Sequence, residues 1–175
     1  MKYLLHNQES ERLSYRLVEE NDYEIWLESF IKIEGTTKYL ALEHIGNYDD
    51  QCRSWFDRIF HRYQNDLGGM NVLIDKNNGA LIGMAGLLIQ KVDEINELEI
   101  GYSILPEFWG KGYASEAAMK CKEYAFLNNF SDSLISIVHI DNHASAKVAV
   151  KNGMMKEKQT FFKEMPVNIF RIYKI

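Results

Sequence analysis

Proline and cysteine are both scarce in this chain of 175 residues, with two of each. Pro106 and Pro166 stand far apart and no Ser- or Pro-rich tract divides the chain, so a single domain over residues 1–175 is expected. Cys52 and Cys121 form no CxxC pair and no Cys/His cluster, which argues against a zinc site or a disulfide framework and makes a reducing cytoplasm the expected compartment. The histidines at 44, 61, 139 and 143 are scattered, so no metal is expected; His44 carries slightly more weight as part of a cleft wall. No apolar run approaches the roughly 20 residues of a membrane span. The opening MKYLLHNQESERLSYRL turns polar by His6, too early for a secretory signal. An excess of basic residues is missing as well. A net charge of -5 argues against a nucleic-acid-coating protein, whose binding leans on dense Lys and Arg contacts to phosphate.

What is present suits one globular core, with 46% hydrophobic and 26% charged residues. Glu11 to Val18 alternates Leu13, Tyr15 and Leu17 against Arg12, Ser14 and Arg16, the period of a strand. Asn21 or Asp22 then caps a helix through Phe30. A second helical pattern covers Asp50 to Gln64, where Cys52, Trp55, Phe56, Ile59, Phe60 and Tyr63 recur as core or cleft lining. Gly68-Gly69 closes that region, and apolar runs Met70 to Ile74 and Leu81 to Ile89 flank a hairpin turn ending at Gly79. Leu98 to Leu105 reads as a strand, Tyr113 to Asn128 as a helix, and Leu134 to Val138 as a short strand. Asn142 to Asn152 is a further helix stopped by Gly153, and Met154 to Phe162 and Val167 to Tyr173 are antiparallel strands. The sum is a mixed α/β domain, antiparallel at first, with one β-α-β crossover at its centre.

The richest stretch is Glu99 to Ala118, EIGYSILPEFWGKGYASEAA, a strand running through a loop with two glycines into a helix. Gly110 and Gly112 let the backbone turn tightly, while the first amides of the helix lack intrahelical acceptors and sit at the positive end of its dipole. Phosphate or pyrophosphate suits such a cradle. Two glycines alone also make ordinary strand-helix connections, and neither a P-loop ending nor a full GxGxxG is present.

Four segments together carry a family likeness: Ser10-Glu11-Arg12-Leu13, Glu99-Ile100-Gly101-Tyr102, Trp109 through Ala114, and Asn142-His143-Ala144-Ser145 followed by Lys151-Asn152-Gly153-Met154. Over nearly its whole length the chain resembles the GNAT-superfamily N-acetyltransferases, in particular the Rim-type branch of ribosomal-protein and small-amine acetyltransferases. The resemblance implies a GNAT fold, with a twisted, mostly antiparallel mixed sheet of about seven strands and flanking helices. It implies transfer of the acetyl group of acetyl-CoA to a primary amine, a protein N-terminus or a small amine. Backbone groups of Trp109, Gly110, Lys111, Gly112, Tyr113 and Ala114 would hold the pyrophosphate. Polar groups of Ser103 and Ile104 would pair with the pantetheine arm like an added strand, Asn142 would contact that arm, and Ser145 would approach the sulfur. Dimers are common among resembling proteins. Two departures stand out: Trp109 replaces the Arg or Gln usual at the first loop position, as is familiar in the Rim-type branch, and Ala149 stands where many relatives carry a proton-donating Tyr.

Acyl transfer to an amine needs a proton acceptor, a donor for charge on the carbonyl oxygen, and support for the departing thiolate. Glu97 and Glu99 share a strand face, and Glu99, nearer the cradle, is the candidate base or amine-positioning group; an exposed strand Glu is the other reading. Backbone amides from Tyr102 to Ile104 are the candidate oxygen donors. Asp141 or Asn142 also reads as a plain helix cap with Ser145 bonded locally. Tyr39, Glu43, Trp55 and Phe56 are candidates for the acceptor wall. Two other readings remain at this level, a non-catalytic acyl-CoA-binding module and a nucleotide-binding protein. Thermal unfolding separates the nucleotide reading: acetyl-CoA is expected to raise the midpoint and ATP to leave it unchanged, and ATP-selective stabilisation removes the acetyltransferase reading.

Overall fold

A computed structural model describes residues 2–42 and 44–175. Its strands are β1 (Leu13–Leu17), β2 (Gly68–Asp75), β3 (Leu81–Val92), β4 (Ile95–Ile104), β5 (Ser133–His139), β6 (Met155–Phe162) and β7 (Met165–Tyr173). Its α-helices are α1 (Tyr23–Trp26), α2 (Tyr48–Gln64), α3 (Tyr113–Leu127) and α4 (His143–Lys151). The strands form one sheet in the order β1-β2-β3-β4-β5-β7-β6. All neighbours are antiparallel except β4 and β5, and parallel neighbours require a crossover, which α3 supplies. About seven strands, mixed and mostly antiparallel, is therefore the architecture observed.

Both sheet faces are covered, which is why β2 and β3 read as nearly continuous apolar runs. On one face α3 packs through Ala117, Ala118, Cys121 and Ala125 over Tyr15, Ile82 and Ile100. Small side chains bring that helix close to the sheet. On the other face α1 and α2 cover Val72, Met84 and Leu88 with Trp26, Phe56 and Ile59. Burial pushes the Cys52 and Cys121 thiols up to about 12.

Three local expectations change. Asp22 stands at the N-cap of α1, as one of the two expected candidates, but its side chain bonds no amide of that helix. Its carboxylate is held by Arg16 at 2.7 Å and accepts the Glu19 amide at 2.8 Å, so the chain enters through a 3-10 turn, Glu20–Asp22, and leaves through a π turn, Leu27–Ile31. Gly68 and Gly69 lie inside β2 rather than closing α2. A Cβ at Gly69 would stand 2.8 Å from the Tyr63 ring, so the glycine permits close packing of α2. Finally, β3 and β4 extend past Ile89 and start before Leu98, meeting in a two-residue turn at Asp93 and Glu94 with φ of 47° and 66°.

The β6–β7 hairpin is tied to the sheet by Arg171, whose guanidinium binds both oxygens of Glu97 at 2.6 and 3.0 Å and Glu157 at 2.9 Å. Glu97, read from the sequence as sharing a strand face with Glu99, is thus committed to structure. The Arg171 and Glu97 side chains are only 11% and 16% exposed, and removing one partner of a buried pair leaves an uncompensated charge. Arg171→Ala is expected to lower stability by about 3 kcal/mol, seen as a reduced urea midpoint at unchanged slope.

Candidate active site

The ladder between β4 and β5 contains one registered pair, Glu99 with Ile135. One further bond, Ser136 Oγ donating to the Ile100 carbonyl at 3.1 Å, bridges them before they part. Leu105 N donates to Ile82 O, so by alternation the backbone groups of Ser103 face β3 while those of Tyr102 and Ile104 face the gap. Of the two positions expected to pair with a pantetheine arm, Ile104 offers its amide there, whereas the Ser103 backbone belongs to the β3 ladder and the residue lines the cleft. The Ile104 carbonyl accepts a 2.7 Å bond from Trp109 Nε1. Trp109, which replaces a charged or amide side chain in the loop, thereby fastens the loop to the strand end.

Beyond Trp109 the cradle has the geometry an anion needs. Gly110 and Gly112 adopt left-handed φ of 73° and 81°, and nothing lies within 4 Å of a Cβ built at Gly110. Gly112 is the N-cap of α3, so the amides from Tyr113 and Ala114 open the helix. Arg12 braces the turn from the first strand: its Nη1 donates to the Lys111 carbonyl at 2.9 Å, its Nε pairs with Glu116 at 2.7 Å, and its guanidinium lies over the Tyr113 ring at 4.2 Å. Glu116 also accepts from the Arg12 amide and the Ser10 hydroxyl, both at 2.7 Å. The free strand edge and the glycine turn together fit the pantetheine and pyrophosphate of an acyl-CoA.

The gap opens into a cleft of about 190 Å³ whose wall contains Glu99, Tyr102, Asn142 and Ser145. Asn142 caps α4, its Oδ1 accepting the Ser145 amide at 3.1 Å, and its side-chain Nδ2 has no partner among the described residues. Ser145 Oγ lies 2.8 Å from the Tyr102 hydroxyl, which also reaches the Ser145 carbonyl at 3.0 Å. A phenol therefore does arrive beside the serine, from β4 instead of α4. Burial pushes the Tyr102 hydroxyl up to about 12. Ala149 is in the core.

Glu99 is held by a relay that sequence spacing did not reveal. Gln90 Nε2 donates to its Oε2 at 2.8 Å, and Gln90 Oε1 accepts from Arg62 Nη2 at 2.8 Å. Burial raises the Glu99 carboxyl above the usual carboxylate range, and the Gln90 bond with the charges of Arg62 and Lys163 pulls it partly back. Tyr39 and Trp55 line the cleft, and Tyr39 stacks on His139 at 4.7 Å. Phe56 is buried beneath α2, His44 sits in a shallow outer groove, and Glu43 lies outside the described residues. Among the described residues no cluster of His, Cys, Asp or Glu could hold a metal, and no helix is long and apolar enough to cross a membrane.

A strand-edge gap leading to a glycine turn at a helix N-terminus is the architecture of an acyl-CoA-dependent transferase, and sequence comparison gives the class its family. The acetyltransferase (GNAT) domain family matches residues 12–155, and the chain belongs to it. The uncharacterized N-acetyltransferase YoaA of Bacillus subtilis is 32% identical over 151 residues, covering 85% of this chain and 82% of that protein. An acetyltransferase from Agrobacterium tumefaciens shares the fold with a TM-score of 0.78 at 22% identity, covering 99% and 95% of the two chains. The ribosomal-protein alpha-N-acetyltransferase RimL, solved with coenzyme A, shares it with a TM-score of 0.72 at 15% identity and 97% of each chain. The protein is an acetyl-CoA-dependent N-acetyltransferase.

Arg12 touches the cradle but not the cleft, so its loss separates donor binding from acceptor chemistry. Arg12→Gln is expected to raise the Kd for CoA about tenfold, the equivalent of roughly 1.4 kcal/mol, measured by calorimetry, with the acceptor KM unchanged.

Proposed function

We propose that this single domain, working in the cytoplasm on neither nucleic acid nor membrane, acetylates a primary amine by direct attack within a ternary complex. The observation that carries this reading is the placement of the Glu99 carboxyl and the Tyr102–Ser145 hydroxyl pair on the wall of one cleft that opens from the β4–β5 gap. Acetyl-CoA supplies an activated acetyl thioester. Backbone groups of Trp109 through Ala114 hold its pyrophosphate, the Ile104 amide and Asn142 hold the pantetheine arm, and the gap directs the thioester inward.

Glu99, as carboxylate, takes the proton of the amine directly or through one water, freeing the nitrogen lone pair to bond to the carbonyl carbon. The gap-facing amides of Tyr102 and Ile104 stabilise charge on the carbonyl oxygen. As the carbon–sulfur bond breaks, the Tyr102–Ser145 pair passes a hydroxyl proton to the sulfur and is reprotonated, through water, by the second proton that the nitrogen loses as it becomes an amide, while Glu99 returns the first to solvent. The Tyr102 phenol also removes the chief support for a non-catalytic binder, the missing helix tyrosine.

Thiol release from acetyl-CoA on mixing with an amine panel tests the reaction. Glu99→Gln is expected to lower kcat about a hundredfold, and Tyr102→Phe or Ser145→Ala to lower kcat with the KM for acetyl-CoA held; full turnover in any of these removes that residue from the mechanism. Because Glu99 must be ionised to accept a proton, activity rises with pH through its elevated pKa. Gln90→Leu deletes a bond that favours the ionised form, so the acid limb of kcat/KM for a given amine is expected to move to higher pH.

A further inference from the structure

Four of the six arginines pair with carboxylates: Arg12, Arg16, Arg53 and Arg171. The two that do not, Arg58 and Arg62, stand one turn apart on α2, and both line the cleft that contains Glu99. Lys163 lines it from the β6–β7 turn, likewise without a carboxylate at ion-pair distance among the described residues. The partners these cations do have are neutral. Arg58 donates to the Leu40 and Ala41 carbonyls at 3.4 and 3.2 Å, and Arg62 to the Leu67 and Ile89 carbonyls at 3.2 and 2.9 Å besides Gln90. Carbonyls and an amide position a guanidinium without neutralising it. Among the described residues, these three cations line the cleft with one carboxylate, that of Glu99.

Their surroundings make that arrangement costly for the free protein. Burial lowers the affinity of Arg58, Arg62 and Lys163 for their protons; attraction to Glu99 offsets part of this for Arg62, ahead of the repulsion from Arg58, while for Lys163 the repulsion from Arg58 comes ahead of that attraction. Lys163 and Glu164 also take left-handed φ of 47° and 64° in a two-residue hairpin turn, where Asn-Gly would be relaxed. The indole N–H of Trp55, in the same wall, has no acceptor among the described residues. An anion seated among these groups would offset the repulsion and satisfy the free donors.

We propose that the acceptor is a small amine carrying an anionic oxygen group, a carboxylate or a phosphate ester, bound by Arg58, Arg62 and Lys163 with its amino group at Glu99. This rests on the acetyl-transfer reading and names its substrate class. The Arg62 guanidinium and the Glu99 carboxyl are separated by the single carboxamide of Gln90, so amine and anion stand only a few bonds apart. The cleft volume of about 190 Å³ suits a compact molecule. Arg58, Arg62 and Lys163 also border the outer groove, where Asp50, Asp57 and Glu164 stand beside them, which disfavours an extended acidic peptide lying along that groove. A polyamine would bring a second cation toward three others.

The test uses matched pairs, β-alanine against β-alaninamide and phosphoethanolamine against ethanolamine, with spermidine and an Asp-leading peptide as further arms. Thiol release is expected to show kcat/KM at least tenfold higher for the anionic member of one pair, the pair identifying carboxylate or phosphate. Arg58→Gln and Lys163→Gln are expected to raise the KM for that amine about tenfold, to hold its kcat and to erase the preference. Equal or better use of the neutral isostere, of spermidine or of the peptide overturns the proposal. Thermal stabilisation of the CoA-loaded protein by the same amines is read in parallel. If no amine releases thiol, the transfer reading falls, and stabilisation by the anionic amine and not its isostere still decides whether the cleft selects an anion.

Discussion

The parting of β4 from β5 is the constraint on which the rest of the molecule depends. Parallel strands cannot be joined by a tight turn, so the chain leaves the end of β4, runs through α3 and returns as β5. That one crossover yields three functional features together. It leaves a strand edge unpaired beyond Glu99, it sets the first turn of α3 at the edge of the gap, and it brings α4 back beside Tyr102. The Ser136–Ile100 bond marks where the sheet stops being a sheet and becomes a binding site.

Charge is sorted by the two sides of this gap. On the donor side Arg12 and Glu116 neutralise each other, so the cradle relies on backbone amides and the helix dipole to meet an anion. On the other side the cations of α2 and of the β6–β7 turn have no carboxylate at ion-pair distance among the described residues, and the Gln90 carboxamide stands between Arg62 and the Glu99 carboxyl. Gln90 fixes both ends at once. Its oxygen must face the guanidinium and its nitrogen the carboxylate, which gives the carboxyl one orientation toward the cleft.

The sequence patterns carried the strands, the main helices and the glycine turn, because these depend on neighbours a few residues away. Gly110 and Gly112 were legible for that reason. Tyr102 was visible only as backbone, since its meeting with Ser145 spans 43 residues and depends on how α4 lies against the sheet. Gln90 and Arg62, 28 residues apart, left no periodic signal at all. Glycine misled in one place: Gly69 looked like punctuation, whereas the Tyr63 ring above it is the reason for the missing side chain. Asp22 looked like a cap because a local rule allowed it, and Arg16 claimed it through a stronger charged contact. Local chemistry proposes in each of these cases, and tertiary contact decides.

Every turnover releases a free thiol, and the pool to which it returns can be oxidised to disulfides. Exchange with such disulfides needs an accessible thiolate. Cys52 and Cys121 are both fully enclosed, with thiols held protonated at neutral pH. The two cysteines are therefore closed to exchange with the oxidised form of the enzyme's own product.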